Sequence, residues 1–210
     1  MKKSKLKMLC STALVAALSM AAPLYGQAGN AEASDPKFDT LQSPVVGGNT
    51  ERKSWKPKDW LEAEVKFKVE MPKTYRQSFV DSVTVKWYVA VKPEGSRDVY
   101  ILEKEVEHVN VPVGEDVYSS VYLSPSAIKR ISGSDRASKG VIEAIGGEVI
   151  VNGTTRESNK KRYFAYGEKV GWWTKTKASR LDRVPLLNKN ETPFKFLWWD
   201  RYAEIKPERR

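Results

Sequence analysis

The residues able to carry covalent or metal chemistry are few: the chain has one histidine, His108, and one cysteine, Cys10. Nucleophilic catalysis needs a nucleophile beside a base. His108 lies in Glu105-Val106-Glu107-His108-Val109, a β-type alternation in which an imidazole is expected at a solvated or edge-strand position. No serine stands in a G-x-S-x-G elbow, and no serine and lysine are singled out as a pair. Zinc or copper needs clustered soft donors, which a single histidine and no cysteine beyond Cys10 do not supply, so no metal and no cofactor are expected. Glu62, Glu64 and Glu70, and again Glu103, Glu105 and Glu107, recur at strand spacing, which places like charges among lysines on solvent faces. A glycosidase pair would need two such carboxyls facing each other across a cleft. Gly146-Gly147 reads as a strand irregularity, not as a phosphate loop. The expectation is a protein that is not an enzyme.

Aromatic residues carry the stronger signal. Trp172-Trp173 and Trp198-Trp199 are adjacent pairs, and neighbours on a strand face opposite sides. Each pair is therefore expected to place one indole in the core and leave the other, Trp173 or Trp199, facing outward. An exposed indole can stack on a sugar ring or anchor a protein interface. Lys160-Lys161-Arg162 and Lys175-Thr176-Lys177, with Arg180 and Arg183, lie near Tyr163, Phe164 and Tyr166. Surfaces for single-stranded nucleic acid use the same interleaving, but export of the chain argues against that use, and no nucleic-acid partner is expected. The candidate partner or glycan contacts are Trp173, Trp199, Tyr166, Lys161 and Arg162. Asn152-Gly153-Thr154 and Asn190-Glu191-Thr192 match the N-glycosylation pattern, which counts for little behind a bacterial-looking leader.

The elements that must position these residues begin after that leader. Residues 1–28 carry Lys2, Lys3, Lys5 and Lys7, an apolar run from Leu6 to Ala22 and the small-residue site Gly26-Gln27-Ala28, the pattern of a secretory signal peptide cut after Ala28. Removing those lysines lowers the formal charge from +10 to +6, 32 basic against 26 acidic side chains. That surplus is modest, and no transmembrane segment is expected in the mature chain. Without Cys10 the mature chain has no disulfide and must rest on an ordinary core.

Residues 29–58 are rich in Gly, Ser, Asp, Pro and Lys and read as an exposed N-terminal arm, in which Val45-Val46 could add a short strand. From Trp60 to Met71 apolar residues alternate with charged ones, a half-buried strand closed by Pro72. Phe79–Lys92 repeats the pattern with Trp87 inward, Val99–Val111 follows with a parity shift between Ile101 and Val106 that suggests a bulge, and Val117–Leu123 makes a fourth strand. Ser124-Pro125 then reads as a cap and first turn of a short helix ended by Gly133. Gly140–Val151, the Asn152-Gly153 turn and Thr154–Tyr166 read as a hairpin, with a last strand over Val170–Lys175. Residues 59–176 would form the sandwich, and residues 177–210 a basic loop with a C-terminal segment docked on it, since Phe194-Lys195-Phe196-Leu197-Trp198-Trp199 is too apolar for a free tail. The fold expected is all-β: an immunoglobulin-like antiparallel sandwich with one short helix and extended N- and C-terminal arms.

The segments EVKFKVEM, DSVTVKWYVAVK, LSPSAIKRI and TPFKFLWWDRYAEIKP, together with the leader, resemble small secreted immunoglobulin-like proteins encoded near type IV pilus components in Akkermansia-like bacteria of the Verrucomicrobia. The resemblance spans the mature chain and implies an accessory role at the cell envelope or pilus. It supplies no catalytic residue. The chain departs from a type IV pilin in lacking the short leader and long apolar N-terminal helix. The expected function is non-enzymatic assembly or adhesion in the periplasm, at the outer-membrane surface or outside the cell, with envelope or pilus proteins as partners and anionic glycans as a further class. The alternative is a carbohydrate-binding module using exposed tryptophans.

Overall fold

The computed structural model describes residues 28–45, 56–154 and 156–207. The signal-peptide reading, with Cys10, and Val46 lie outside the described residues apart from Ala28. The strands are β1 (Asn30–Ala33), β2 (Lys37–Gln42), β3 (Asp59–Glu70), β4 (Phe79–Val91), β5 (Tyr100–Pro112), β6 (Asp116–Leu123), β7 (Ala144–Val151), β8 (Tyr163–Tyr166), β9 (Ser179–Arg180), β10 (Leu187–Asn188) and β11 (Glu204–Ile205), with helices α1 (Pro125–Ser132) and α2 (Trp172–Lys175). They form two sheets, ordered β1-β3-β6-β10 with β2 also on β3, and β11-β5-β4-β7-β8 with β9 also on β5. Among the described strand pairings β5–β9 alone is parallel, and the isolated bridges Val69–Val113 and Tyr118–Tyr202 are parallel too. The fold is the all-β sandwich that the alternation foretold.

The core follows from the period of two. Leu61, Ala63, Val65, Phe67 and Val69 of β3 face Val83, Val85, Trp87, Val89 and Val91 of β4, all buried, and each large aliphatic side chain contributes about 1.5–3 kcal/mol on burial. Trp87 is fully enclosed and meets Phe164 edge-on, ring centroids 4.8 Å apart. The parity change in β5 falls elsewhere than expected. Pairing with β4 is unbroken from Tyr100 to Val109, with Leu102, Val106 and His108 inward, and the face switches beside Asn110, whose φ is +52°, so that Val111 and Val80 return to the core. Phe79, expected inside, is exposed for the same reason.

Helix α1 forms as read: the Ser124 hydroxyl accepts the Ala127 amide at 3.2 Å, Pro125 opens the first turn and Gly133 ends it at φ +69°. The Asn152-Gly153 turn has φ +49° and +68°, the pair of positive values that a tight hairpin requires. Its return strand is confined to β8, and Trp172–Lys175 is helical, so the strand expected there does not form.

Both arms belong to the sheets. Ala33 faces Phe67 and Lys37 faces Glu64, so Ser34, Asp35 and Pro36 stand opposite only Val65 and Lys66, a bulge that absorbs the proline's missing donor. Residues 30–42, expected in an exposed arm, are thus one interrupted strand along β3, and Ala31 is buried. At the other end β9 and β11 join β5 while β10 joins β6. The C-terminal segment laces the open edges of both sheets, and the sandwich runs beyond the 59–176 span expected for it.

Candidate functional site

Two aromatic clusters lie on the opposite outer faces of the sandwich. On the β3–β6 face, Glu62, Glu64, Ser120 and Tyr122 point outward by strand parity, yet Glu62 and Glu64 are only 4% and 7% exposed. The solvent-facing position expected for these two carboxylates is corrected by the C-terminal segment, which covers them. Arg201 donates to Glu64 through Nη2 at 2.6 Å and Nε at 3.2 Å, and the Tyr202 hydroxyl lies 2.7 Å from Glu64 and 3.0 Å from Glu62. Tyr122 donates to Glu62 at 2.5 Å and accepts from Ser120 at 3.0 Å.

One phenolic proton cannot serve two carboxylates equally. The shorter contact directs that proton chiefly to Glu64, the carboxylate paired with Arg201, with Glu62, which accepts from Tyr122, as its weaker acceptor. Burial raises the Glu62 pKa, against the lowering effect of its two tyrosine hydrogen bonds and with the charge of Glu64 acting in the same direction as burial. Burial likewise raises both tyrosines, and the hydrogen bonds from Arg201 to Glu64 raise that guanidinium further.

Around this network the chain from Leu187 to Phe196 is fixed by local caps. Asn188 and Glu191 form a reciprocal capping box, and Thr192 caps the turn Pro193–Phe196. Phe194 is buried edge-on to Trp60 at 5.7 Å and stacked on Tyr122 at 5.5 Å. Because the chain turns here and is not a strand, Trp198 and Trp199 do not split inward and outward: both are exposed, 46% and 59%, beside Phe196 at 69%. Trp198 stacks on Phe194 at 6.3 Å with φ +54°, a backbone conformation that costs a non-glycine residue about 1–2 kcal/mol. Lys189, 4% exposed, sets its ammonium 5.4 Å from the Trp199 ring centre and 5.1 Å from that of Tyr202, and burial lowers its pKa.

On the other face Trp173 lies over β4 and β7, parallel to Tyr88 with centroids 5.4 Å apart, and Tyr163 tilts toward it at 6.4 Å. Gly146-Gly147 is no irregularity, because β7 pairs with β4 without a break from Ala144 to Val151. The two glycines make room for rings on both faces: a Cβ on Gly146 would meet Trp173 at 2.5 Å, and one on Gly147 would meet Phe164 at 2.6 Å. Trp173, Tyr163, Val170, Gly171, Thr174, Glu148 and Lys160 border a cleft of about 500 Å³.

Of the residues singled out by sequence, Trp173 borders this cleft and Arg162 lies behind it, against two of its lining residues, Tyr163 and Glu148. Arg162 is buried, lies 4.4 Å over the Tyr163 ring and places Nε 3.4 Å from Glu148, a contact of charge more than of hydrogen bonding, since that Nε has no hydrogen-bond partner. Lys161 points away to an exposed ion pair with Glu32 at 3.2 Å. Tyr166 packs against Phe38 at 5.0 Å, and Trp199 is on the far face. His108 is a correction: it is 1% exposed, with Nδ1 3.1 Å from the Ala203 carbonyl and Nε2 2.9 Å from Ser119 Oγ. A carbonyl only accepts, so Nδ1 carries the hydrogen and Nε2 accepts from Ser119. Burial pushes its pKa down to about 4, which leaves it a neutral core residue. Among the described residues no three His, Cys, Asp or Glu side chains cluster as metal ligands would.

These features define an immunoglobulin-like β-sandwich protein that displays aromatic residues on both outer faces and has its C-terminal segment fastened to one of them. A protein-family model matches residues 22–209, and the chain belongs to that family. A crystal structure from Akkermansia muciniphila is similar, with 37% identity and a TM-score of 0.72 over 86% of this chain and 95% of that one. The likeness to Akkermansia proteins drawn from the sequence segments is borne out. None of the curated proteins matches the chain.

Proposed function

We propose that the protein is an exported assembly or adhesion module of the cell envelope, associated with pilus or outer-membrane proteins and without catalytic activity. The observation that carries this reading is the ridge of Phe196, Trp198 and Trp199, three large apolar rings left in solvent by a segment otherwise fixed through buried hydrogen bonds and a bidentate ion pair. Exposed aromatics on a rigid support are what protein interfaces use as anchors, because little side-chain freedom remains to be lost on binding. The buried carboxylates serve that support. Both are covered, so they offer no route for a substrate, and the neutral His108 is equally enclosed. Among the described residues no helix is long and apolar enough to cross a membrane.

The test is photo-crosslinking in the native host, with a benzophenone amino acid at position 196 and identification of the products by mass spectrometry. Adducts with pilus or outer-membrane proteins that disappear in Trp198→Ala/Trp199→Ala support the reading. Fractionation that leaves the protein in the cytoplasm, or adducts indifferent to the two tryptophans, would remove it.

A further inference from the structure

The cleft on the β7–β8 face is independent of the ridge and on the opposite side of the sandwich. We propose that it is a saccharide site with a preference for sugars bearing a carboxylate. A pyranose ring has flat patches of C–H bonds on its faces and hydroxyl groups at its rim, so it needs an aromatic floor and a small number of fixed hydrogen-bonding groups beside it. Trp173 is such a floor. Its ring is anchored flat by Tyr88, with an interplanar angle of 7°, and is seated in the space left by Gly146. Tyr163 supplies a second wall inclined at 49° to it.

The polar groups are placed to complement a sugar. Glu148 is oriented by the buried Arg162, which is itself held by the Arg156 carbonyl at 2.5 Å and by the Tyr163 hydroxyl, so its carboxylate can accept from adjacent hydroxyls without having to be ordered first. Thr174 donates its hydroxyl hydrogen to the Gly171 carbonyl at 2.8 Å, leaving its oxygen as an acceptor. The volume, about 500 Å³, falls in the usual range for small-ligand sites and suits one or two sugar rings. Glu148 and Arg162 cancel in charge. Lys160, exposed at the border of the cleft, is left as a net positive charge, which favours an acidic sugar over a neutral one of the same shape.

The test uses the full mature protein and a matched pair of ligands, methyl β-glucuronide and methyl β-glucoside, with a methyl sialoside as a second acidic sugar, observed by saturation-transfer NMR and tryptophan fluorescence. The expected result is saturable binding in the millimolar range or tighter, with the acidic sugars bound about five-fold more tightly than the glucoside at low salt and less so at high salt. Trp173→Ala should abolish binding. Lys160→Glu, an exposed change that leaves the aromatic packing intact, should remove or invert the acidic preference while the glucoside still binds. Absence of saturation with all three sugars overturns the proposal, as does binding that survives Trp173→Ala in a variant whose melting shows it folded. Equal affinities for both members of the pair, unchanged in Lys160→Glu, overturn the acidic preference. None of these outcomes bears on the ridge, whose crosslinking partners are read separately.

Discussion

Gly146 lies directly beneath Trp173: a Cβ on the glycine would stand 2.5 Å from Cζ3 of the indole. The strand residue and the helix residue are thereby matched in shape, and a side chain at position 146 must lift the ring from the sheet. Gly146→Val is expected to destabilise the fold by about 1–3 kcal/mol, the usual cost of overpacking, and to blue- or red-shift tryptophan emission as Trp173 changes environment. Gly147→Ala is expected to be worse, because its Cβ would meet the Lys86 carbonyl oxygen at 1.9 Å, and a backbone carbonyl inside a sheet has nowhere to move. Thermal unfolding of the two variants side by side checks the order. Equal melting temperatures for Gly147→Ala and the parent would show that β7 does not pack as described.

The buried His108 gives the stability a pH dependence of known sign. Its folded pKa of about 4 lies below the ordinary 6.5, so between those values the unfolded chain takes up a proton that the folded chain refuses. Its effect on stability is therefore nil above pH 6.5 and increasingly unfavourable as pH falls toward 4, on the order of 3 kcal/mol in full. Urea unfolding of the parent and of His108→Gln at pH 7 and pH 4.5 separates this effect from that of the carboxylates. The parent should lose more stability across that interval than the variant. A parallel loss in both would place the acid sensitivity elsewhere.

The paired carboxylates Glu62 and Glu64 should respond oppositely to neutralisation. Glu62 has a raised folded-state pKa, mainly from burial, so any stabilisation it gives is complete below its unfolded value near 4.5 and is lost as pH rises through the folded value. Glu62→Gln removes a buried charge while keeping an acceptor for Tyr122 and Tyr202, and is expected to leave stability at pH 7–8 unchanged or higher. Glu64→Gln removes the charge opposite Arg201, whose side chain is 47% exposed, so solvent softens the loss to about 1–2 kcal/mol. Because Arg201 and Tyr202 fasten the C-terminal segment, limited proteolysis after Glu64→Gln should cut first near residues 195–200. Protection equal to the parent's in that region would mean that the caps and Phe194 suffice to hold the segment.

What was legible in the sequence is what alternation can encode. The long strands β3 to β6, the inward Trp87, the capped helix α1 and the Asn152-Gly153 turn follow from local pattern and backbone preference. Glu62 and Glu64 were assigned to solvent because parity does place them outside their sheet, and parity is blind to a segment from residues 187–205 folding back over that face. His108 is a different case: it shares strand parity with the buried Leu102 and Val106, so alternation itself puts it inside, and only its partner Ala203, 95 residues away, lies beyond local pattern. Trp172-Trp173 failed differently: a reading of strand alternation was applied where Gly171 at φ +84° starts a helical turn. Of the five contacts proposed from sequence, Trp173, Trp199, Tyr166, Lys161 and Arg162, only Trp173 borders the cleft, and local pattern could not show that Glu148, Tyr163 and two glycines stand beside it.

The ridge yields a prediction about function that is separable from folding. Phe196 and Trp199 are among the most exposed large apolar residues described, so replacing them removes little buried area. Phe196→Ser/Trp199→Ser is expected to change stability by no more than about 0.5 kcal/mol and to reduce nonspecific self-association as well, since an aromatic patch in water favours any contact that covers it. Phe194→Ala, two residues away on the same turn, should instead cost about 3–5 kcal/mol, because that ring is fully buried against Trp60 and Tyr122. If the ridge is an interface, the double serine variant loses envelope crosslinks while melting like the parent. If its rings instead complete the fold, the same variant melts early and loses nothing specific, and comparing its melting curve with its crosslinking pattern decides between a surface built for a partner and one built for the chain itself.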